Sequence, residues 1–554
     1  MKIKTITIHN FRSIKHQTFN LLDYSLLVGA NDSGKSNIID VLRIFYDDTK
    51  FNEEKDWPKF PVDDDESWIE INFSLTNDEF KNLKKEYQQE NGSEEFFVVR
   101  RYLKHATKVQ GGSSNIYGYE GGKLSDNFFY GWKNVAKGKL GDILYIPAVS
   151  QISEYTKLSG PSYLRDILDF ISKKIISGSE SFGTLNKVFD NFTKKFKQEK
   201  TKDGFSLDGF ISDINKDISD RKIKMDFDIR HLDVADITKN LIEPYIKDEV
   251  LGDNKLAIES YGEGFQRRLV YTLIKLSTKY QEKKVIKDKK EFFSNFLIIL
   301  FEEPEAFLHS SQQEILNQSL KKLSDEESQQ ILISTHSTHF VSRNIDNLPS
   351  ILKLYKDKGE TKVYQLTEPK LKYILTVNEE LKEIQGEKIE DKDLDLEAIR
   401  YSLWLDPDRC CAFFADFVLV CEGASEKFLI DYLIKNGEIP LSNKEIYILN
   451  AMGKENIHRY MNLFKELGIK HSVLYDADNN TSKQKRTNDF LQKNKNDFTL
   501  KIDFFDNNLE DFLGIPEETR PDKKPLSVMW HYQNNKISDE KIKNFKEKVA
   551  NLLG

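Results

Sequence analysis

The stretch GANDSGKS at residues 29–36 decides how the first part of this sequence folds. It matches the pattern G-x-x-x-x-G-K-[ST] at every fixed position, and it stands between the apolar run YSLLV at 24–28 and a helical pattern that begins at Asn37. Glycines let backbone N–H groups surround a phosphate at the start of a helix, where the helix dipole favours anions. The stretch therefore predicts a phosphate-binding loop between a strand and a helix.

This loop assigns roles to individual residues. Lys35 is expected to reach the β- and γ-phosphates of ATP, and the Ser36 hydroxyl is expected to bind Mg²⁺ (or Mn²⁺). Asn31, Gly34 and Asn37 complete the nucleotide-binding set that we predict. A glycine turn formed by chance is the alternative interpretation.

Composition limits the class of protein. A chain of 554 residues exceeds one ordinary core, so two or three domains are expected. Hydrophobic residues make up 39% and charged residues 31%, which is typical of a globular protein without a membrane span. Three cysteines argue against a disulfide framework and favour a cytoplasmic location. The net charge of −8 argues against non-specific coating of nucleic acid but is compatible with a local basic groove.

Two further apolar runs end in residues typical of ATP hydrolysis. The run LIILFEEP at 297–304 ends in Glu302, expected to complete the magnesium shell, and Glu303, expected to polarise the attacking water. The run LISTHS at 332–337 places His336 at the end of another strand, as a predicted sensor of the γ-phosphate. Solvated glutamates and a structural histidine are the alternatives.

A looser motif, SYGEGFQRR, occupies residues 260–268 before a predicted helix. A serine and glycines at a helix start form an anion cradle. Because the motif precedes the paired glutamates, as an ABC signature does, it is predicted to bind the γ-phosphate held by a partner protomer. The residues assigned to this role are Ser260, Gly262, Gly264 and Gln266, with a local turn as the alternative.

The order of P-loop, signature, paired glutamates and histidine resembles the SMC/Rad50-like branch of ABC ATPases. The opening IHNFRSI at 8–14 is similar to the start of that branch, which implies a nucleotide contact from Asn10 or Arg12. Such heads enclose ATP in pairs, so the resemblance implies a homodimer or higher homo-oligomer. We expect ATPase segments at 1–158 and 251–372, separated by a helical insertion at 159–250 that pairs the subunits.

After an expected linker at 373–412, strand and helix patterns alternate from 413 to 554. This rhythm predicts a parallel sheet with its site at the carboxyl ends of the strands. The run FVLVCEGASE at 417–426 brings Glu422 and Glu426 there, and VLYDAD at 473–478 brings Asp476 and Asp478. Carboxylates gathered in one crevice repel each other unless they are protonated or bridged by Mg²⁺ or Mn²⁺, and two such ions can clamp a phosphodiester.

Glu-Gly followed by Asp-x-Asp on this scaffold resembles the Toprim fold of topoisomerases, primases and recombination nucleases. The resemblance implies that Glu510 is a further acidic ligand and that Gly453 is the glycine found after the second strand. Lys524 is expected to neutralise the transition-state phosphate, with a solvated loop lysine as the alternative. The basic stretch at 483–501 is either a surface that steers DNA or an ordinary charged surface.

An SMC-like ATPase followed by Toprim resembles the OLD (overcoming lysogenization defect) family of nucleases. The expected fold is α/β: an ABC-type P-loop ATPase with a helical insertion, then a Rossmann-like Toprim sheet. The resemblance implies an ATP-hydrolysing, metal-dependent DNA endonuclease that serves antiviral defence, beside a helicase (Gabija) or a retron reverse transcriptase with its nucleic acid. The alternatives are an ATP-driven sensor or scaffold with a catalytically silent Toprim domain, and a Toprim topoisomerase or primase.

Overall fold

The computed structural model describes residues 1–131, 139–148, 164–165, 168, 171–172, 180–217, 224–227, 244–247, 254–262, 264–266, 268–269, 272–273, 276, 292, 294, 296–306, 308–325, 329–341, 345–376, 381, 383–384, 386, 399, 401, 404–441, 445–478 and 481–554. The chain divides into two compact units, one formed by 1–148 with 288–554 and the other by 149–287. Much of the expected insertion and linker, with Glu263 and Arg267 of the signature motif, lies outside the described residues.

The strands are numbered in chain order. They are β1 (Lys2–Phe11), β2 (Ile14–Asn20), β3 (Tyr24–Val28), β4 (Ser67–Ser74), β5 (Gln89–Asn91), β6 (Glu94–Lys104), β7 (Ile116–Glu120), β8 (Lys123–Phe128), β9 (Asp142–Ile146), β10 (Ile246–Lys247), β11 (Lys255–Leu256), β12 (Leu297–Glu302), β13 (Gln329–Ser334), β14 (Ile351–Asp357), β15 (Glu360–Gln365), β16 (Phe417–Cys421), β17 (Ile446–Asn450), β18 (His471–Asp476) and β19 (Thr499–Phe505).

The helices are numbered in the same way. They are α1 (Lys35–Phe45), α2 (Glu53–Asp56), α3 (Asn77–Asn82), α4 (Glu180–Phe196), α5 (Leu207–Asp217), α6 (Ser310–Ser324), α7 (Thr338–Val341), α8 (Glu368–Thr376), α9 (Ala424–Lys435), α10 (Lys454–Glu466), α11 (Ser482–Lys493), α12 (Leu509–Leu513), α13 (Lys524–Gln533) and α14 (Asp539–Leu553). Within the described ranges, every helix is too short or too polar to cross a membrane.

The P-loop sheet has the strand order β15-β14-β3-β13-β12-β9. Strands β14, β3, β13, β12 and β9 run parallel to one another, and only the edge strand β15 is antiparallel, in a hairpin with β14. Strands β3 and β13 are buried along their whole length, and each contains three consecutive apolar residues, at 26–28 and 331–333. Helix α1 follows β3 directly and buries Ile38, Ile39 and Leu42 in a core shared with the antiparallel sheet β2-β1-β4-β6-β7-β8.

The C-terminal sheet is parallel throughout, with the order β17-β16-β18-β19. Because β16 and β18 are neighbours, their carboxyl ends lie side by side, with Cys421 opposite Leu474. Leu419 and Leu474 pack with Leu429 of α9 and Phe545 of α14 in one apolar core. The alternation expected from residue 413 onward is therefore confirmed, including the placement of two acidic motifs at adjacent strand ends.

The β14–β15 hairpin packs against the C-terminal sheet. Lys470 Nζ donates a hydrogen bond of 3.1 Å to the Tyr355 hydroxyl, and the Tyr364 ring lies so close to Gly468 that any Cβ there would clash. Residues 468–470 lead directly into β18. The P-loop sheet and the C-terminal sheet are consequently in direct contact.

The second unit contributes helices α4 and α5 and the antiparallel pair β10–β11. Four apolar side chains of α4, spaced three or four residues apart, are exposed on one face. Their exposed fractions are 47% for Leu185, 60% for Val188, 51% for Phe192 and 45% for Phe196. This helix carries an apolar stripe that its own unit leaves exposed to solvent.

Acid sensitivity is expected from His471, whose side chain is buried. Burial lowers the pKa of His471 to about 4, from 6.5 in the unfolded chain. Its Nδ1 donates to Ile469 O at 2.9 Å, and its Nε2 accepts from the Thr499 hydroxyl at 2.8 Å, an arrangement that requires the neutral ring. Because the unfolded chain binds this proton more readily, stability is unaffected above about pH 6.5 and falls between pH 6.5 and 4, by at most roughly 3 kcal/mol.

We therefore expect the thermal unfolding midpoint to decrease between pH 7.5 and 5. The His471→Gln variant should be less stable at pH 7.5 and show a smaller decrease on acidification, because it lacks the titrating ring. An equal acid-induced decrease in the two proteins would contradict this assignment.

Candidate active sites

A cavity of about 840 Å³ opens at the carboxyl end of the P-loop sheet, within the size range of small-molecule sites. The predicted nucleotide-binding residues of the first unit all border this cavity. They are Asn31, Gly34, Lys35, Ser36, Asn37, Glu302, Glu303 and His336. Residues separated by about three hundred positions in the sequence thus share one site because β3, β12 and β13 are adjacent and parallel.

The phosphate-binding loop holds its shape through backbone contacts. Lys35 is buried, and its Nζ donates to Gly29 O and Ala30 O, each at 2.9 Å. Burial lowers the pKa of Lys35 to about 8. Gly34 has φ of 103°, and a Cβ there would clash with Thr361 of β15, whose hydroxyl donates to Ser33 O at 2.9 Å. Only glycine fits this position, and the hairpin supports the loop from behind.

The hydrolytic side of the cavity is formed by the ends of β12 and β13. Glu302 Oε2 accepts a hydrogen bond of 2.6 Å from the Tyr145 hydroxyl, which orients that carboxylate. Glu303 adopts the left-handed φ of 42°, a strained conformation that is common at functional sites. His336 Nε2 lies 3.7 Å from Glu303 Oε1, and burial followed by the charge of Lys35 lowers the pKa of His336. The imidazole is therefore neutral at physiological pH.

Glu305 is a buried carboxylate that holds the backbone of His336 in place, and it was not among the predicted site residues. Glu305 Oε1 accepts hydrogen bonds from the Thr335 hydroxyl at 2.8 Å, from His336 N at 2.6 Å and from Ser337 N at 3.2 Å. Burial raises the pKa of Glu305, while these donors act in the opposite direction. The sequence shows that Glu305 ends the run Glu-Glu-Pro-Glu, but it does not show its hydrogen-bond partners, which lie some thirty residues further along the chain.

Of the two nucleotide-contact candidates in the opening motif, Arg12 borders the cavity and Asn10 does not. Arg12 borders it and forms ion pairs with Asp40 at 2.6 Å and with Asp56 at 2.8 Å. Asn10 Nδ2 instead donates to Asp64 Oδ1 and Glu66 O, each at 2.9 Å. Of the two candidates for a nucleotide contact, Arg12 is the one that the geometry favours.

The candidate signature residues lie in the second unit. Ser260 ends a short 3₁₀ helix over Ile258–Ser260, Gly262 follows it, and Gly264 and Gln266 are helical. Gln266 Nε2 donates to Tyr261 O and so stabilises the turn. The binding of a partner's nucleotide by these residues stays a prediction.

The five predicted carboxylates of the C-terminal sheet converge where β16 and β18 end. Asp476 N donates to Glu422 Oε2 at 3.1 Å, and Gly423 N donates to Glu426 Oε2 at 3.1 Å. Burial raises the pKa of Glu422 to about 8. Burial and then the charges of Glu426, Glu422, Asp478 and Glu510 raise the pKa of Asp476 to about 9. These carboxylates therefore lie close enough together for the charge of one to raise the pKa of another.

This acidic cluster has the chemistry of a divalent-metal site. In the described part of the chain, no donor lies within hydrogen-bond distance of the buried atoms Asp476 Oδ1 and Glu510 Oε1. Buried carboxylate oxygens without a hydrogen-bond donor are suitable hard ligands for Mg²⁺ or Mn²⁺. Among the same residues, no group of three or more acidic, histidine or cysteine side chains is arranged to hold an ion by itself.

Two lysines border the acidic cluster, and one of them was missed. Lys524 was predicted, and its Nζ lies 3.9 Å from Glu510 Oε1. Lys454 is buried, and its Nζ lies 3.2 Å from Ala477 O and 3.5 Å from Asp478 Oδ2. Gly453, with φ of 119°, donates its N–H to Glu422 O at 2.9 Å and so places Lys454 beside the carboxylates. Only the adjacent glycine was recognised from the sequence.

Comparison with protein families identifies both parts of the chain. The model described as AAA ATPase domain matches residues 1–117 and 64–341. The model described as Overcoming lysogenization defect protein-like, TOPRIM domain matches residues 413–478. The chain belongs to the AAA ATPase domain family and carries an OLD-like Toprim domain. The predicted order of an ATPase followed by Toprim is thus confirmed, as is the α/β fold class.

Similarity to individual proteins extends over most of this ATPase–Toprim chain. It is 26% identical to the Old nuclease of Escherichia phage P2, over 86% of this chain and 77% of that protein. It is 25% identical to Endonuclease GajA of Bacillus cereus (strain VD045), over 100% of this chain and 87% of that protein. A solved SMC head bound to the C-winged helix domain of ScpA is 15% identical, covers 67% of this chain and 100% of that chain, and has a TM-score of 0.38, too low to establish a shared fold.

Neutralising one carboxylate of the Toprim cluster tests whether repulsion and cation binding are linked there. We expect Asp476→Asn to raise the thermal midpoint in EDTA by a few degrees, because a buried repulsive group is removed. The same variant should lose the stabilisation that Mn²⁺ confers on the wild type, measured by differential scanning fluorimetry.

Asp503→Asn is the matched control, because Asp503 pairs with Lys548 at 2.6 Å on the neighbouring strand β19. It should keep the full Mn²⁺ response. An undiminished response in Asp476→Asn would exclude that carboxylate as a ligand.

Proposed function

We propose that this protein is an ATP-hydrolysing, divalent-metal-dependent DNA endonuclease. The observation that carries the proposal is the convergence of five carboxylates and two lysines at the ends of β16 and β18. An ordinary structural site has no need for so many charged groups in one crevice. The names of the two relatives, a nuclease and an endonuclease, support the same activity.

In the ATPase half, the shared position of the candidate residues around one cavity supports a role for them in nucleotide hydrolysis. Lys35 exchanges its bonds to Gly29 O and Ala30 O for phosphate oxygens. Ser36 and Glu302 would hold Mg²⁺, and the hydrogen bond from Tyr145 orients the Glu302 carboxylate. Glu303 orients the attacking water, and the neutral His336 beside it contacts the γ-phosphate.

In the Toprim half, Glu422, Glu426, Asp476, Asp478 and Glu510 would hold the divalent cation. When bound, the cation supplies an activated water and neutralises charge that develops on the phosphodiester. Lys454 offsets the negative charge of Asp478 and anchors the loop after β18 through Ala477 O. Lys524 is partly exposed beside Glu510, where it can meet the scissile phosphate.

Paired variants should separate the two activities. Glu422→Ala should nick supercoiled plasmid more than about a hundredfold more slowly than the wild type with Mn²⁺, because it removes a ligand, while ATP hydrolysis persists. Lys35→Ala should abolish ATP hydrolysis, measured by phosphate release. Nicking is followed by agarose electrophoresis, with nucleotide-free and ATP-containing reactions compared.

Glu438→Ala is the matched control, since Glu438 pairs with Lys546 and the Tyr532 hydroxyl away from the acidic cluster. It should nick like the wild type. Equal nicking by Glu422→Ala would reject the nuclease proposal in favour of an ATP-driven sensor or scaffold with a silent Toprim domain.

We further propose that the chain acts as a homodimer and that α4 contributes to subunit pairing. The support is its exposed stripe of Leu185, Val188, Phe192 and Phe196, because contiguous exposed apolar residues mark interaction surfaces. A role in antiviral defence, and a helicase or a retron reverse transcriptase as partner, are proposals that rest on the family resemblance. A cytoplasmic location is a proposal that rests on the low cysteine content.

Introducing a charge into the stripe tests the pairing. Phe192→Asp should shift the mass measured by light scattering from dimer toward monomer, because a carboxylate is costly in an apolar contact. Lys187→Asp, an exposed substitution on the same helix, should leave the mass unchanged. A dimer that survives Phe192→Asp would place the pairing surface elsewhere.

A further inference from the structure

The nucleotide cavity has a wall to which none of the residues discussed so far belongs. Besides the P-loop and the hydrolytic residues, it is bordered by Lys55, Trp57, Lys59 and Phe60, which lie in and just after α2. Among the described residues that border the cavity, Trp57 and Phe60 are the only Trp, Tyr or Phe side chains. We refer to Trp57 and Phe60 as the aromatic wall.

The aromatic wall is tied to the P-loop helix through Arg12. Arg12 N donates to Asp56 O at 2.7 Å and Arg12 Nε donates to Asp56 Oδ1 at 2.8 Å. Arg12 Nη1 in turn donates to Asn37 Oδ1 at 3.3 Å, in the first turn of α1. Asp56 is buried and also accepts from Asn52 N, so the segment that ends at Trp57 has a defined position beside the phosphate-binding loop.

The Trp57 side chain is itself held in place. Lys104 Nζ lies 3.8 Å from the centroid of its ring, a cation–π contact that restrains the indole. Lys104 is paired in turn with Glu53 at 2.9 Å. The indole is partly buried, so it is neither a core residue nor a freely rotating surface group.

Different sides of the cavity carry chemically different side chains. The triphosphate of a nucleotide has its place at Lys35 and Ser36, and the acidic side of Glu302 and Glu303 belongs to the hydrolytic reaction. The remaining part of the ligand is the ribose and the base, and a base has an apolar π-face that stacks well on an aromatic ring.

We propose that Trp57 is the nucleobase-stacking residue of this site, with Phe60 beside it, and that the site selects purine over pyrimidine nucleoside triphosphates. The selection follows from stacking area, because a two-ring purine covers more of an indole than a one-ring pyrimidine. This inference rests on the proposed ATPase function and adds a specificity determinant to it.

Comparing ATP with inorganic tripolyphosphate isolates the base, because tripolyphosphate has the phosphates alone. With the full chain and Mg²⁺ in calorimetry, Trp57→Ala should weaken ATP binding by between about fivefold and a hundredfold. Tripolyphosphate binding should be unchanged, and Trp57→Phe should recover most of the ATP affinity. The wild type should bind ATP more tightly than CTP, and Trp57→Ala should reduce that difference.

Trp530→Ala is the control, since Trp530 is exposed on α13 of the Toprim domain. It should bind all three ligands like the wild type. An equal loss of ATP and tripolyphosphate in Trp57→Ala would overturn the stacking role and make Trp57 a support of the phosphate loop. Unchanged ATP binding would overturn it too. If the wild type binds neither ATP nor tripolyphosphate, the ATPase proposal fails together with this one.

Discussion

Carboxylates buried close together cannot all keep their charge without a counter-cation, and both sites of this protein depend on that constraint. At the ends of β16 and β18, burial and mutual repulsion raise the pKa of Asp476 to about 9. At the ends of β12 and β13, burial raises the pKa of Glu305 beside the hydrolytic residues. Buried parallel strands deliver such groups to one edge of a sheet, because their carboxyl ends are adjacent.

Lysines supply part of the compensating charge in both places. Lys35 lies under the phosphate loop and bonds to its carbonyl oxygens, and Lys454 lies under the Asp478 loop and bonds to Ala477 O. Each lysine begins a helix directly after a glycine of positive φ, Gly34 or Gly453. The two sites thus share the same local arrangement of glycine, lysine and helix start, although the first is suited to a nucleotide phosphate and the second to a metal ion.

The two sites also belong to one packed structure. The β14–β15 hairpin supports the phosphate loop through Thr361, and Lys356 and Lys358 near its turn border the nucleotide cavity. Tyr355 of the same hairpin accepts a hydrogen bond from Lys470, directly before β18, the strand that ends in Asp476. On the other side, the His336 ring lies 6.2 Å from the Phe414 ring, just before β16. Nucleotide site and acidic cluster are therefore connected by continuous contacts on two routes.

The sequence alone determined the motifs that are local in the chain. The P-loop, the paired glutamates, His336, Glu-Gly and Asp-x-Asp each follow an apolar strand, and this strand-then-turn pattern is written in consecutive residues. The tertiary structure alone decided which distant groups complete them. Tyr145 reaches Glu302 across 157 positions, Thr361 reaches Ser33 across 328, and Arg12 rather than Asn10 turns toward the cavity. Such pairs depend on strand order and on side-chain direction after folding, and neither property is encoded in the spacing of residues along the chain.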